Sequence, residues 1–461
     1  TEHRKVARRA AAEGIVLLKN EDHVLPLKEG SVIALYGAGA GKTIKGGTGS
    51  GDVNEREKVS ICEGMKNAGF QITTEAWINR YNEIYDKARQ DWKNDILSRT
   101  GHGADTMSFF EVYSTTPFNM PAGDKIEKSA GDEAENAIYV LSRIAGEGMD
   151  RQADKGDYYL KDEEYEMLAD ICANYENVIV VINAGAQVDL SFMDEFTNIK
   201  ALLTIVQPGM EGGNAFADVV SGRVNPSGKL TDTCAYKYED YPNAETFSHN
   251  NGNVETEVYE EGMYVGYRYF DTVGKEVTYP FGYGLSYTTF AVETKDIVAD
   301  EKQVTVTAQV INTGKCAGKE VVQVYASLPE GDLDQPYQKL VGYARTKEVA
   351  AGESTEVSVT FATQTLASFS EKDSAYIMEA GEYVIRLGSH SRDTMVAGIL
   401  TLDDKAVLEK TKHICEGWGF DDLVPEKVAF NPDGEEEQKE AAKHIALSAA
   451  KFETVTYTYP E

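Results

Sequence analysis

Residues 137–151 read AIYVLSRIAGEGMDR. The first six positions are an apolar run of strand length, and they open directly into a loop crowded with glycine and charge. Similar runs recur at 31–36 (SVIALY), 177–183 (NVIVVIN) and 200–206 (KALLTIV). Between them lie stretches with helical spacing. Residues 4–18 place Val6, Ala10, Ile15 and Leu18 near one face, and 162–175 reads as a helix with Asp162 at its N-cap. Apolar strands alternating with helices predict a mainly parallel sheet covered by helices over residues 1–235, an α/β layer structure. Two segments interrupt the rhythm: a Gly-rich loop at 37–51, and an excursion at 98–136 carrying Phe109, Phe110 and Tyr113. Loops of that size in a compact domain tend to be functional or mobile.

The texture changes downstream. Residues 236–290 are rich in Tyr and turns and read as a connector packed on the α/β domain. Over 291–402, short alternating runs at 304–307, 321–325, 357–359 and 383–387 are separated by turn sequences such as NTGKCAG and AAGEST. That spacing predicts a small all-β sandwich. Residues 403–461 carry an acidic block, DGEEEQKE, and read as a linker toward a further domain.

Among 461 residues, 45 basic against 76 acidic ones leave a net charge of −31, which argues against nucleic acid or an anionic membrane as partner. The apolar runs are far shorter than the roughly twenty residues of a spanning helix. The basic start (TEHRKVARR) leads into a helical pattern instead of a signal-peptide core, so the expected location is cytoplasmic. Five widely spaced cysteines suit buried reduced thiols rather than a disulfide framework or a zinc cage. Seven histidines form no close cluster, so no metal and no cofactor are expected.

Two stretches could carry chemistry. The loop YGAGAGKTIKGGTGSG lies where Gly-rich turns cradle phosphates, but the spacing fails: Tyr36 stands where a P-loop needs its first Gly, and Lys42 where a dinucleotide fingerprint needs its third. Close approach of backbones is the better reading of these glycines. A ligand-facing role for Gly47, Thr48, Gly49 and Ser50 stays open. The second stretch, 142–160, sets Glu147 between two glycines and surrounds it with Arg143, Asp150, Arg151, Lys155 and Asp157. A carboxyl on a glycine turn after a parallel strand can reach a substrate, and neighbouring charges can set its ionisation. The bland alternative is a solvated loop whose ions pair with one another.

In order along the chain, AAAEGIVLLKNEDHVLPL (10–27), KGGTGSGDV (45–53), SRIAGEGMDR (142–151) with KGDYYL (155–160), QPGMEGGNAFADVVSGRVNPSGKL (207–230), YEEGMYVGYRYFD (259–271) and YPFGYGLSYT (279–288) resemble glycoside hydrolase family 3 of the β-glucosidase type. The likeness covers about residues 5–400 and corresponds to the family's α/β sandwich and fibronectin type III-like domains, without its (β/α)8 barrel.

The resemblance implies a retaining hydrolase of terminal β-D-glucosyl residues. In such an enzyme a barrel Asp attacks the anomeric carbon, and a Glu from the sandwich protonates the leaving oxygen. By motif match Glu147 is that acid/base, with Arg143, Asp150, Arg151, Lys155 and Asp157 ordering its loop. Gly47, Thr48, Gly49, Ser50, Phe109 and Phe110 would line the substrate cleft. The nucleophile is not in this chain, so the polypeptide alone is expected to hold half an active site. Its partners would be β-linked glucosides or short oligosaccharides and a barrel from the same gene or another chain, and a homo-oligomer is compatible with it. Two other readings stand beside this one: a non-catalytic carbohydrate-binding or scaffolding derivative of the family, and a nucleotide-binding protein resting on 37–43.

Overall fold

The computed structural model describes residues 1–51, 53–103, 106–129, 131–145, 150–412, 421–428 and 434–457. The chain divides into two compact units, residues 1–228 with 284–287, and residues 229–283 with 288–461.

The first unit is an α/β structure around a six-stranded sheet. Its strands are β1 (Val16–Asn20), β2 (Val32–Tyr36), β3 (Gln71–Ile72), β4 (Asn136–Arg143), β5 (Asn177–Ala184) and β6 (Ile199–Thr204), in spatial order β1-β6-β5-β4-β2-β3. Pairings among β2 to β6 are parallel; β1 joins β6 antiparallel at the edge. The helices are α1 (Glu2–Gly14), α2 (Ala38–Gly41), α3 (Ile61–Asn67), α4 (Glu75–Arg99), α5 (Thr106–Thr115), α6 (Asp162–Asn174) and α7 (Gly212–Val220).

Alternate strand residues Ile33, Leu35, Ile138, Val140, Ile179, Val181, Ala201 and Leu203 share one core with Ile61 and Met65 of α3 and with Phe216, Val219 and Val220 of α7. The intervening residues Tyr139, Leu141, Val178, Val180 and Leu202 are buried too. A strand buried on both faces reads as a continuous apolar run, which is why period alone could not orient these strands. Gly64 and Gly213 let α3 and α7 approach backbone to backbone: a Cβ on Gly64 would lie 2.0 Å from the Gly213 carbonyl oxygen.

Three expectations need correction here. The helix expected over 4–18 ends at Gly14, and residues 16–20 become strand β1, whose apolar Val16, Leu17 and Leu18 cover the sheet edge. The cap of α6 is Lys161, one residue before Asp162; the Glu164 carboxylate accepts from the Lys161 N–H at 2.9 Å. The 98–136 excursion is not all loop, since α5 lies within it.

In the second unit, β7 (Cys234–Ala235) pairs with β8 (Val277–Tyr279), followed by β9 (Phe290–Ala299), β10 (Gln303–Asn312), β11 (Val321–Ser327), β12 (Lys339–Arg345), β13 (Ser354–Ala362), β14 (Ser368–Ser370), β15 (Ala375–Met378), β16 (Gly381–His390), β17 (Asp393–Leu402), β18 (Ala406–Lys410), β19 (His444–Leu447) and β20 (Val455–Thr456). Sheets β13-β10-β9 and β12-β11-β16-β17-β19 share one apolar core, and β14-β15-β18-β20 form a third sheet. In β10 every second side chain is buried, the alternation expected of a half-buried strand.

Residues 403–461, expected as a linker, are built into this unit. They supply β18, β19 and β20, and the helix α8 (Glu435–Ala441), whose buried Glu435 takes two hydrogen bonds from the buried Arg386 guanidinium at 2.9 and 3.1 Å. The connector expected over 236–290 likewise divides, with 284–287 in the α/β unit and the rest, 236–283 and 288–290, in the β unit. There Tyr264 donates to Asp334 at 2.5 Å, and the Tyr267 hydroxyl accepts from the Leu340 N–H at 2.7 Å. Cys62, Cys172, Cys234 and Cys316 form no disulfide; Cys316 is exposed, against the expected burial, and Cys415 lies outside the described residues.

Candidate functional site

The strand order makes β2 and β4 neighbours from which the chain departs in opposite directions, β2 toward β3 at one edge and β4 toward β5 and β6 on the other side. The crevice outside the carboxyl ends of such a pair is where open α/β sheets bind ligands. Both stretches singled out in the sequence leave from this point. Residues 37–51 follow β2, and 144–161 follow β4.

Glycine is required where the two meet. A Cβ on Gly37 would lie 2.3 Å from the Val140 carbonyl oxygen, and one on Gly39 2.3 Å from the Ser142 hydroxyl. Gly37 also sits at φ +93. These contacts bear out close approach as the role of the first glycines.

One side chain ties the loops together. Asn183, at the end of β5 and fully buried, donates to the carbonyls of Ile44 (2.9 Å) and Val206 (2.7 Å). Its Oδ1 accepts from the Ile44 N–H (2.7 Å) and the Ser142 hydroxyl (3.1 Å). Val206, a β-branched residue at φ +45, then turns the chain so that Gln207 donates to the Ala145 carbonyl at 3.0 Å and the Gly209 N–H to the Lys45 carbonyl at 2.8 Å. Positive φ at such a residue persists only where the surroundings over-determine it. Loops after β2, β4 and β6 therefore form one hydrogen-bonded end of the sheet.

Arg143 is buried and uses its guanidinium fully. It makes a two-pronged pair with Glu164 (2.7 Å twice) and donates to the carbonyls of Ser142, Asp157 and Tyr159 at 2.9, 2.9 and 3.2 Å. Arg151 pairs with Asp157 and donates to the Gln187 carbonyl at 3.2 Å, and the second Asp157 oxygen accepts from the Gln152 N–H at 2.6 Å. Lys155 pairs with Asp162 at 2.6 Å in an exposed position, and Asp150 is exposed with no ion pair among the described residues. Glu147, with 146–149, lies outside the described residues. What the structure gives is the frame on either side: Ala145 held by Gln207, Arg151 held by Asp157 and Gln187.

Gly47 and Thr48 are half-buried and Gly49 is exposed; the Ser50 side chain lies outside the described residues. Lys45, at the start of this loop, bonds to Glu55 and keeps that carboxyl below its ordinary range. Phe109 stacks on Tyr113 at 6.0 Å, Tyr113 meets Trp92 of α4 at 5.8 Å, and Phe110 is 60% exposed. These rings are packed on helices, and ring contacts run from them through Trp92, Phe118, Tyr85, Tyr81 and Trp77 to Tyr36 at the end of β2. Lys161, its ammonium pKa lowered by burial, anchors the return of the excursion by donating to the Met120 carbonyl at 2.7 Å.

Sequence reasoning did not find Asn183, Val206, Gln207 or Glu164. Asn183 had one signal, a polar residue closing an otherwise apolar strand. Among the described residues no group of His, Cys, Asp or Glu could hold a metal ion, and no helix is long and apolar enough to cross a membrane.

The family model described as Glycosyl hydrolase family 3 C-terminal domain matches residues 15–267, and Fibronectin type III-like domain matches 320–391. The chain is 36% identical over 437 residues to Beta-glucosidase A of Butyrivibrio fibrisolvens, covering 85% of this chain and 50% of that protein. It is 32% identical to an exo-alpha-(1->6)-L-arabinopyranosidase of Bifidobacterium longum, covering 87% of this chain and 49% of that one. The solved structure of beta-glucosidase 3B from Thermotoga neapolitana with glucose aligns with a TM-score of 0.73 at 37% identity, covering 88% of this chain and 55% of that chain. The chain thus spans about half the length of the curated relatives it matches, and no eight-stranded barrel is among the sheets of the described residues.

Proposed function

The chain belongs to the glycosyl hydrolase family 3 C-terminal domain family, and from that premise we propose that it is the sandwich half of a retaining exo-acting β-glucosidase. Glu147 is the general acid/base in this reading. A (β/α)8 barrel from the same gene or another chain carries the Asp nucleophile and most of the sugar pocket. In the first step the Asp displaces the aglycone from the anomeric carbon while Glu147 gives its proton to the leaving oxygen. In the second, Glu147 takes a proton from the water that hydrolyses the glycosyl-enzyme.

The observation that carries the reading is the convergence of the loops after β2, β4 and β6 at one end of the sheet, with both flanks of 146–149 pinned. An acid/base delivered to another domain's sugar site needs such a fixed frame, because small misplacements of a reacting group are costly in rate. Arg143, at the end of β4, ties the outgoing side of that frame to Glu164 and to the carbonyls of 157 and 159; Arg151 and Asp157 brace the returning side.

The test uses this chain alone and joined to a barrel. Alone it should not turn over aryl β-glucosides. With the barrel, Glu147→Gln should slow cellobiose cleavage by about 10²-fold or more while sparing the first step on activated aryl glucosides, and azide should restore the second. Parallel assays on aryl β-glucosides and aryl α-L-arabinopyranosides read the sugar preference. Cellobiose cleavage within a few-fold of wild type for Glu147→Gln, or no activity restored by any barrel, refutes the proposal.

A further inference from the structure

The second unit carries an Asn-Gly pair, Asn251-Gly252, and the sequence holds no other. It lies in the turn-rich stretch FSHNNGNVETEVYE (247–260), where every residue from 250 to 260 is exposed. Asparagine before glycine is a reactive combination. The backbone nitrogen of the second residue can attack the side-chain carbonyl carbon of the first, and glycine offers no Cβ to crowd the five-membered ring that results.

The turn bears on each atom of that reaction. The Asn251 Oδ1 accepts from the Asn253 N–H at 2.9 Å. In the tetrahedral intermediate this oxygen becomes an oxyanion, so the Asn253 N–H is a donor placed where charge develops. Asn253 is itself held, its Oδ1 accepting from the Glu255 and Thr256 N–H groups at 3.0 and 3.2 Å. The nucleophile is restrained. The Gly252 N–H donates to the His249 carbonyl at 2.7 Å, and this bond must open before the nitrogen can lose its proton and turn toward Cγ. Opening is cheap for two reasons. Water replaces the lost bond in an exposed segment, and Ser248 and His249 stand at φ +51 and +62, conformations that non-glycine residues hold at a cost and that opening relieves. Asparagines inside the fold differ: Asn183 and Asn312 are fully buried, with both ends of their amides hydrogen-bonded.

We propose that Asn251 is a site of spontaneous deamidation. The deprotonated Gly252 nitrogen forms a bond to Asn251 Cγ, the Cγ–Nδ2 bond breaks, and Nδ2 takes up a proton from solvent and leaves as ammonia. Water then opens the succinimide. Breaking the bond between the Gly252 nitrogen and Cγ gives aspartate at position 251; breaking the bond between that nitrogen and the main-chain carbonyl carbon gives isoaspartate, with the backbone rerouted through the side chain. The balance is one amide and one water to one carboxylate and one ammonium, with no oxidant or cofactor. Either product puts a new carboxylate into a segment that already carries Glu255, Glu257 and Glu260, and the isoaspartate also lengthens the backbone between Asn250 and Gly252. The inference does not depend on the role of Glu147.

The experiment incubates the 461-residue chain in neutral and mildly alkaline buffer and follows peptide masses and isoaspartyl methylation. A synthetic peptide of residues 246–258 is the reference, with the same sequence and no fold around it. Asn251 should convert at no less than about a tenth of the peptide's rate, and faster at the higher pH because the deprotonated nitrogen attacks, while Asn183 and Asn312 stay intact. Gly252→Ala should slow conversion by about tenfold or more. Asn253→Pro removes the N–H aimed at Oδ1 and should lower the rate of the chain relative to a peptide with the same change by about threefold or more. Asn251 intact while the peptide converts, another asparagine converting first, or either variant reacting as fast as wild type overturns the proposal.

Discussion

Replacing Asn183 by alanine removes four hydrogen bonds at the point where the loops after β2, β4 and β6 meet. The Ile44 N–H and carbonyl and the Ser142 hydroxyl are in buried residues and lose their partner outright. The Val206 carbonyl belongs to a residue that is 47% exposed and can return to water. Each buried group left unsatisfied costs about 1–3 kcal/mol, and partial rehydration through the cavity left by the side chain lowers the sum, so a loss of about 3 kcal/mol is expected. That is roughly a hundredfold in the local opening equilibrium. Native-state hydrogen exchange is the assay, because the chain has two units and a single unfolding midpoint would blend them. The Ile44 amide should exchange about 10² times faster in Asn183→Ala, with smaller effects through 42–51 and little change in β10. Asn183→Asp should do no better. It keeps the acceptor for Ile44 and Ser142 but sets a carboxylate against two carbonyl oxygens. Exchange at Ile44 within about twofold of wild type, or rescue by Asp, would refute the reasoning that this amide locks the loops.

Glu164→Ala leaves the Arg143 guanidinium buried without its counter-charge, and the α/β unit should lose about 3–5 kcal/mol, read as a drop in its thermal midpoint; a change under about 1 kcal/mol would show the pair to be dispensable. Gly213→Ala places a Cβ 1.9 Å from the Ser60 carbonyl oxygen, so α3 and α7 must part at a cost of about 1–3 kcal/mol or more. Gly64→Ala strikes the same contact, and the double variant should lose clearly less than the sum; strict additivity would mean the helices do not meet there. His390 has its pKa lowered to about 4, by burial first, with Lys229 and Arg392 acting the same way against Asp393. Between about pH 6.5 and 4 the unfolded chain then binds a proton that the folded one refuses. The β unit should therefore lose up to about 3 kcal/mol of stability as pH falls through that window and be indifferent to this group above it. His390→Gln, followed by thermal unfolding against pH, should flatten that slope, and an unchanged slope would sink the assignment.

The sequence by itself carried the order of layers, because buried parallel strands and half-buried sandwich strands leave different periods, and both are short-range properties of the chain. It also carried the two loops at the switch point, since glycine marks places where side chains have no room, as Gly37 and Gly39 against β4 bear out. The family was legible in the same way, as local motifs in order. What it could not show were partnerships across long separations. Asn183 reaches back to Ile44, Arg143 forward to Glu164 and Arg386 to Glu435, and no local pattern distinguishes a polar residue that is a hub from one that is solvated. The same limit explains residues 403–461. An acidic block reads as a solvated linker until the fold brings a buried arginine to Glu435 and an open sheet edge to residues 444–447. Only the tertiary structure decided these, because the free energy of a buried charge or a sheet edge belongs to the pair of segments that meet, and neither segment carries it alone.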